Sequence, residues 1–208
     1  MTTPAVTLFH APHTRSTGVL TLLEELGVAY ELNVLNLKAG EQRKPEYLAV
    51  NPMGKVPAVR HGDALITEQV ALYIYLADAF PDSGLAPAIG DPLRGPYLRW
   101  IAFYGSCFEP AVVDRALKRE PAPMATSPYG DYATTIKTID DQLAQGDYLL
   151  GDRFSAADVL WGTALGWTTG FGLVAHTPAI DAYIARVAAR PAFVGARAKD
   201  AQLAAAQA

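Results

Sequence analysis

"NPMGKVPAV", residues 51–59, decides how the first half of the chain is read. Its two prolines stand five apart, and the second, Pro57, is followed by Ala58, Val59 and the Gly-centred turn "HGD". Proline has no backbone N–H, so it is tolerated at a strand start or edge but not inside a sheet. The stretch therefore reads as a loop entering a hairpin, with a short strand at 57–60 and a second at 64–66. Asn51-Pro52 reads as the stop of a short helix around 45–50. Pro57 is left with two readings: punctuation, or backbone shaped for something to bind.

Working outward, "AVTLF" (5–9) is a short apolar strand and "HAPHTRS" is a loop with helix-starting residues. Val19, Leu22, Leu23 and Leu26 then repeat at i, i+3, i+4 and i+7, the spacing of an amphipathic helix. Gly27 stands where a helix C-terminal glycine belongs. "VAYELNVLN" is a second strand. A helix from about Glu68 places Val70, Tyr73, Ile74 and Ala77 on one face. The order βαβ, short helix, ββα predicts a small mixed sheet: the crossover gives parallel strands and the hairpin antiparallel ones.

Beyond "FPDSGLAP", a linker rich in proline, glycine and aspartate, nearly everything reads as helix. Tyr97, Trp100, Ile101, Tyr104 and Phe108 form one stripe, which Pro110 should end or kink. Tyr132, Ile136, Ile139 and Leu143 form another. Ser155 with Asp158 has capping-box spacing, and Phe154 with Val159 has that of a hydrophobic staple. Thr177 is placed as a cap before Pro178 at the first helical position, and Pro191 opens the last helix. The expected domains are 1–80, a linker at 81–91, and an all-α domain at 92–208.

The 208 residues are enough to bury a core, half are hydrophobic and 18% are charged. The net charge of −4 and the lack of any Lys/Arg run argue against a nucleic-acid partner. No apolar run reaches the ~18 residues of a membrane span, and the start has no basic-then-apolar leader pattern. Cys107 is the only cysteine, which excludes an internal disulfide framework and leaves it as a small buried apolar residue. The expectation is a cytoplasmic protein with no membrane partner.

"HAPHTRSTGVLTLLEELGVAYE", "NPMGKVPAV", "ITEQVALYIYLADAF" and "GDRFSAADVLWGTAL", in this order and spacing, resemble the cytosolic glutathione transferases over nearly the whole chain. The resemblance implies an α/β thioredoxin-like N-terminal domain, an all-α C-terminal domain, glutathione as cosubstrate, no metal, and a homodimer.

Such an enzyme must keep a thiol ionised. A free thiol has a pKa of ~8.5 and each unit of depression needs ~1.4 kcal/mol. One hydrogen bond to a charged group contributes ~1.5–3 kcal/mol and a helix N-terminus ~0.3–1 kcal/mol. One hydroxyl at the start of the first helix therefore suffices, without a catalytic histidine. "HTRS" offers Thr14 first and Ser16 second; on spacing alone, either is as well read as an N-cap. The segment holds no tyrosine or cysteine, so the relatives' tyrosine-type and cysteine-type sites do not apply. His13 reads as a loop residue, and Gly18 stands where relatives commonly carry arginine.

The resemblance assigns Glu68 to the γ-glutamyl ammonium and the N–H of Gln69 to its carboxylate, since helix N-terminal N–H groups bind anions. Gln69 departs from the relatives' serine, and without the resemblance Thr67 and Glu68 simply start a helix. Lys55 is the candidate for the glycyl carboxylate, whereas Gln42 and Arg43 read as solvated. A cis Val56–Pro57 bond is expected to turn the Val56 N–H and C=O outward, to pair with the cysteinyl backbone as an added strand does. Tyr104 is the candidate for the electrophile pocket, although Trp100, Tyr104, Phe108 and Trp161 read as well as core. The expected reaction is thiolate attack on a small hydrophobic electrophile. Glutathione-dependent peroxide or disulfide reduction, and a non-catalytic glutathione-binding protein, stand as alternatives; Gln69 and Gly18 are the features that keep the last open.

Overall fold

The computed structural model describes residues 6–207, so Ala5 of the first expected strand lies outside the described residues. Two compact units form: one from residues 6–83 together with 190–207, the other from Gly84–Ala189.

The first unit is built on a four-stranded sheet in the order β2-β1-β3-β4, from β1 (Val6–His10), β2 (Tyr30–Val34), β3 (Ala58–His61) and β4 (Ala64–Ile66). β1 pairs with β2 in parallel and with β3 antiparallel, and β3 with β4 antiparallel. This is the thioredoxin-like sheet that βαβ followed by a hairpin requires. α1 (Ser16–Leu26) buries Val19, Leu22, Leu23 and Leu26, and Gly27 closes it in the left-handed conformation at φ 66°. α2 is a short turn, Pro45–Leu48.

α3 (Gln69–Ala79) buries Leu72, Tyr73, Leu76 and Ala77. The expected face of Val70, Tyr73, Ile74 and Ala77 is thus partly wrong: Val70 and Ile74 are only half-buried. The helix is apolar on more than one side, so spacing alone does not fix its rotation.

The second unit is helical: α4 (Arg94–Phe103), α5 (Glu109–Ala116), α6 (Tyr132–Leu143), α7 (Ala156–Gly170) and α8 (Pro178–Ala188). The stripe Tyr97, Trp100, Ile101, Tyr104 and Phe108 is buried. Trp161 of α7 packs its ring against Trp100, Tyr104 and Phe108, and its indole N–H donates to the Trp100 carbonyl at 2.9 Å. Pro110 does not end the helix: one π turn, Tyr104–Phe108, precedes α5 and places Pro110 in the first turn, where a missing N–H costs nothing. Cys107 lies on that turn half-exposed, not buried. In α6 the inward face is Thr135, Ile139 and Leu143, with Tyr132 and Ile136 half-buried.

Asp158 holds the start of α7. Its carboxylate accepts the Ser155 N–H (2.9 Å), the Ser155 hydroxyl (3.0 Å), the Leu149 N–H (2.9 Å) and the Tyr183 hydroxyl (3.0 Å). Burial outweighs these donors and pushes the Asp158 carboxyl up to about 6. Thr177 caps α8 by accepting the Ile180 N–H at 3.1 Å.

α9 (Pro191–Ala205) belongs to the first unit, whereas the sequence grouped it with 92–208. Phe193 and Ala196 bury its apolar side. Its charges fix it to α1: Arg190 grips Glu25 through two hydrogen bonds of 2.6 and 2.8 Å, and Lys199 meets Glu24 at 2.8 Å.

Candidate functional site

Strand register brings three loops to one end of the sheet. Phe9, near the C-terminal end of β1, pairs with Ala58, the first residue of β3. Val59 pairs with Ile66, the last residue of β4. The β1–α1 loop, the 51–57 loop and the start of α3 therefore leave the sheet side by side. Every N-terminal candidate residue lies on one of the three.

The 51–57 loop is folded around Asn51. The Asn51 side chain accepts the Met53 N–H at 3.0 Å and donates to the Lys55 carbonyl at 2.9 Å, and the Asn51 backbone carbonyl accepts the Gly54 N–H at 2.8 Å. The Tyr47 hydroxyl also donates to the Lys55 carbonyl, at 2.5 Å. Burial pushes that phenol up to about 12, so it stays a donor. Gly54 has φ 60°, and a Cβ there would sit 2.8 Å from the Gln42 carbonyl oxygen, so only glycine fits. Arg43, read as solvated, donates to the Met53 carbonyl at 3.4 Å and braces the loop.

The Val56–Pro57 bond is cis. The Val56 side chain packs on the cluster of Phe9, Leu35, Tyr47 and Ala58. Its backbone N–H and C=O have no hydrogen-bond partner among the described residues. Lys55 is exposed beside it.

Glu68 has φ 65° and ψ 119°, a conformation that a residue with a Cβ rarely adopts. It directly precedes α3, which Gln69 opens. The Glu68 side chain is exposed.

In the β1–α1 loop, the residue before α1 is Arg15, whose side chain makes no cap bond. The Thr14 hydroxyl is half-buried and lies 2.7 Å from the Ala11 carbonyl and 2.7 Å from Ser16 Oγ. It also accepts the Ser16 N–H at 3.2 Å. Ser16 is wholly buried. Its hydroxyl takes the Ala11 N–H at 3.1 Å and lies 2.8 Å from His10 Nδ1 and 3.1 Å from the Ala11 carbonyl. The two candidate hydroxyls are thus unequal: Thr14 stands in front and Ser16 behind it.

Sequence reasoning passed over what lies deeper. His10, at the end of β1, is fully buried, and its Nε2 is 3.1 Å from Asp200 Oδ1 of α9. Asp200 also accepts the Thr17 hydroxyl at 2.7 Å, and its other oxygen takes the His13 N–H at 3.0 Å and faces His13 Nδ1 at 3.1 Å. Burial raises the Asp200 carboxyl, but His10, Thr17 and the His13 N–H outweigh it and hold it below the usual range. An aspartate interrupting an alanine-rich apolar face was the only sequence signal for it.

In the second unit, Tyr104 is buried in the aromatic core and its hydroxyl donates to Glu109 at 2.6 Å. Among the described residues, no group of three or more His, Cys, Asp or Glu side chains is placed to hold a metal ion. Among them, no helix is long and apolar enough to cross a membrane.

A family model for the glutathione S-transferase N-terminal domain matches residues 4–78, and one for the C-terminal domain matches 129–193. Glutathione S-transferase F10 of Arabidopsis thaliana is 32% identical over 154 residues, 68% of this chain and 70% of that protein. The solved glutathione transferase of Methylococcus capsulatus is 30% identical with a TM-score of 0.80, covering 95% of this chain and all of that one. A sphingomonad glutathione S-transferase solved with glutathione is 33% identical with a TM-score of 0.77, covering 94% and 98%. With the same sheet, the same helical unit and matches of this extent to both domains, the chain belongs to the glutathione S-transferase family.

Proposed function

We propose that this chain binds glutathione at the end of its sheet and transfers the thiolate to small hydrophobic electrophiles. The observation that supports the reading is the strand register, which brings the β1–α1 loop, the 51–57 loop and the start of α3 to one end of the sheet. The three offer what an anionic thiol tripeptide requires. The Val56 N–H and C=O pair with the cysteinyl backbone like an added strand. The Gln69 N–H at the start of α3 takes the γ-glutamyl carboxylate, and Glu68 takes the ammonium. Lys55 neutralises the glycyl carboxylate. The Thr14 hydroxyl contacts the thiol, with Ser16 supporting it from behind. A hydrogen bond of this kind contributes ~1.5–3 kcal/mol, which depresses a thiol by roughly one to two pKa units.

Tyr104 and the helical unit are assigned the electrophile side of the reaction, and the active form is a cytoplasmic homodimer. Light scattering tests the dimer. Turnover is tested with glutathione plus a chloronitroarene, a hydroperoxide and a mixed disulfide. Conjugation of the chloronitroarene supports the reading. Turnover of only the hydroperoxide or the disulfide would replace transfer by reduction. Binding to immobilised glutathione with no turnover would leave a binding protein.

A further inference from the structure

We propose that His10 is the inner terminus of a proton relay that removes the thiol proton of bound glutathione through Thr14 and Ser16. The proposal rests on the reading above, in which the thiol meets Thr14 Oγ1.

The chain of contacts is continuous. Thr14 Oγ1 is 2.7 Å from Ser16 Oγ, and Ser16 Oγ is 2.8 Å from His10 Nδ1. On the far side of the ring, Nε2 lies 3.1 Å from Asp200 Oδ1, which sits off the N–H axis, so its hold on the ring is chiefly charge. A carboxylate at Nε2 favours the tautomer with its proton there and leaves Nδ1 as an acceptor. Ser16 then donates to Nδ1 and accepts from the Ala11 N–H and from Thr14. Thr14 is left accepting the Ser16 N–H on one lone pair and keeps the other for the thiol proton. The Ala11 carbonyl, 2.7 Å from Thr14 Oγ1 and 3.1 Å from Ser16 Oγ, is the competing acceptor for both hydroxyls.

In the transfer, the S–H bond breaks and its proton bonds to Thr14 Oγ1. The Thr14 proton passes to Ser16 Oγ, and the Ser16 proton passes to His10 Nδ1. The products are a thiolate and an imidazolium, with Asp200 unchanged as counter-charge. Both hydroxyls end reversed, Ser16 donating to Thr14 and Thr14 donating to the sulfur. A nucleophile served by a base that a third group orients is a general arrangement; here the base is reached through two hydroxyls. His10 and Asp200 do not touch the substrate and are positioning residues.

The groups facing His10 are few. Asp200 of α9 is the charge on it, and His13 of the β1–α1 loop shares that carboxylate. From α1 come the hydroxyl of Ser16 and, on the same carboxylate, that of Thr17. Val34 is its partner in β2.

The direct test uses the wild-type protein with isotope-labelled histidine, followed by nuclear magnetic resonance at neutral pH. Glutathione is expected to convert His10 from neutral imidazole to imidazolium, and S-methylglutathione, which has no thiol proton, is expected to leave it neutral. An unchanged His10, or the same change with both ligands, would overturn the relay. The second measurement is the ultraviolet titration of the bound thiolate in His10→Asn and Asp200→Asn. The thiolate fraction near neutrality should fall about tenfold, one pKa unit, while glutathione affinity stays within about twofold. Wild-type curves in both variants, with a shifted curve in Thr14→Val, would overturn the relay and leave the hydroxyl reading standing. A wild-type curve in Thr14→Val would overturn both, as would failure to bind glutathione.

Discussion

Thr14 Oγ1 and Ser16 Oγ lie 2.7 Å apart, yet one is half-exposed and the other is sealed from solvent. Two hydroxyls that look equivalent in "HTRS" therefore do different work. Ser16→Ala strips His10 Nδ1 and the Ala11 N–H of a partner, and each buried unsatisfied group costs about 1–3 kcal/mol. Ser16→Ala should lower the melting temperature, and Thr14→Val should lower it much less. Equal thermal shifts in the two variants would contradict this division.

Glu68 holds a backbone conformation that glycine adopts readily and a residue with a Cβ only rarely. Such strain costs about 1–3 kcal/mol and persists where function requires it. Glu68→Gly should raise stability to denaturant and weaken glutathione binding. Glu68→Ala should weaken binding without the gain in stability. A Glu68→Gly variant that binds glutathione as the wild type does would remove the side chain from the site.

Gly54→Ala tests the 51–57 loop. Its Cβ would meet the Gln42 carbonyl oxygen at 2.8 Å, and a left-handed alanine adds about 1–2 kcal/mol. The loop must shift, and the Val56 backbone with it. Glutathione affinity, measured calorimetrically, should fall at least as clearly as stability does. Loss of stability with affinity unchanged would detach the loop from binding.

In the helical unit, a Cβ on Gly162 of α7 would lie 2.5 Å from Val187 Cγ1 of α8. Both residues are buried and a β-branched side chain cannot swing aside, so Gly162→Ala should destabilise by about 1–3 kcal/mol. Adding Val187→Ala should restore part of the loss. Additive denaturation midpoints would show that the two helices do not meet closely there.

Asp158 gives the unit a pH signature. The folded carboxyl titrates near 6 and the free group at 3.8. The folded state therefore binds a proton that the unfolded state has released. That contribution is full below 3.8 and is lost as pH rises through about 6. Asp158→Asn lacks it. The stability of the wild type relative to Asp158→Asn should be greater at about pH 5 than at about pH 7.5, by ~1 kcal/mol. A difference independent of pH would contradict the raised value.

Legibility in the sequence followed the range of the interactions. Local signals read well: the α1 apolar spacing, Gly27, Thr177-Pro178, Ser155 with Asp158, and the hairpin after Pro57 each depend on a few neighbouring residues. Longer-range facts did not. α9 was grouped with the helices before it because an alanine-rich helix carries little directional pattern. What fixes it is Arg190 on Glu25 and Lys199 on Glu24, pairs separated by 165 and 175 residues. The His10–Asp200 contact is hidden for the same reason. Of the two outcomes expected at Pro110, an end of the helix does not occur: a π turn at Tyr104–Phe108 precedes α5, and the proline stands in its first turn. Cys107 lies on the same turn, half-exposed.

The hydroxyl at Thr14 is tested most directly by the ultraviolet titration of glutathione thiolate bound to the wild type and to Thr14→Val. The wild-type complex should ionise below the free thiol's ~8.5, and Thr14→Val should raise that midpoint by about one to two units. Superimposable titrations, with glutathione bound equally by both proteins, would contradict the account.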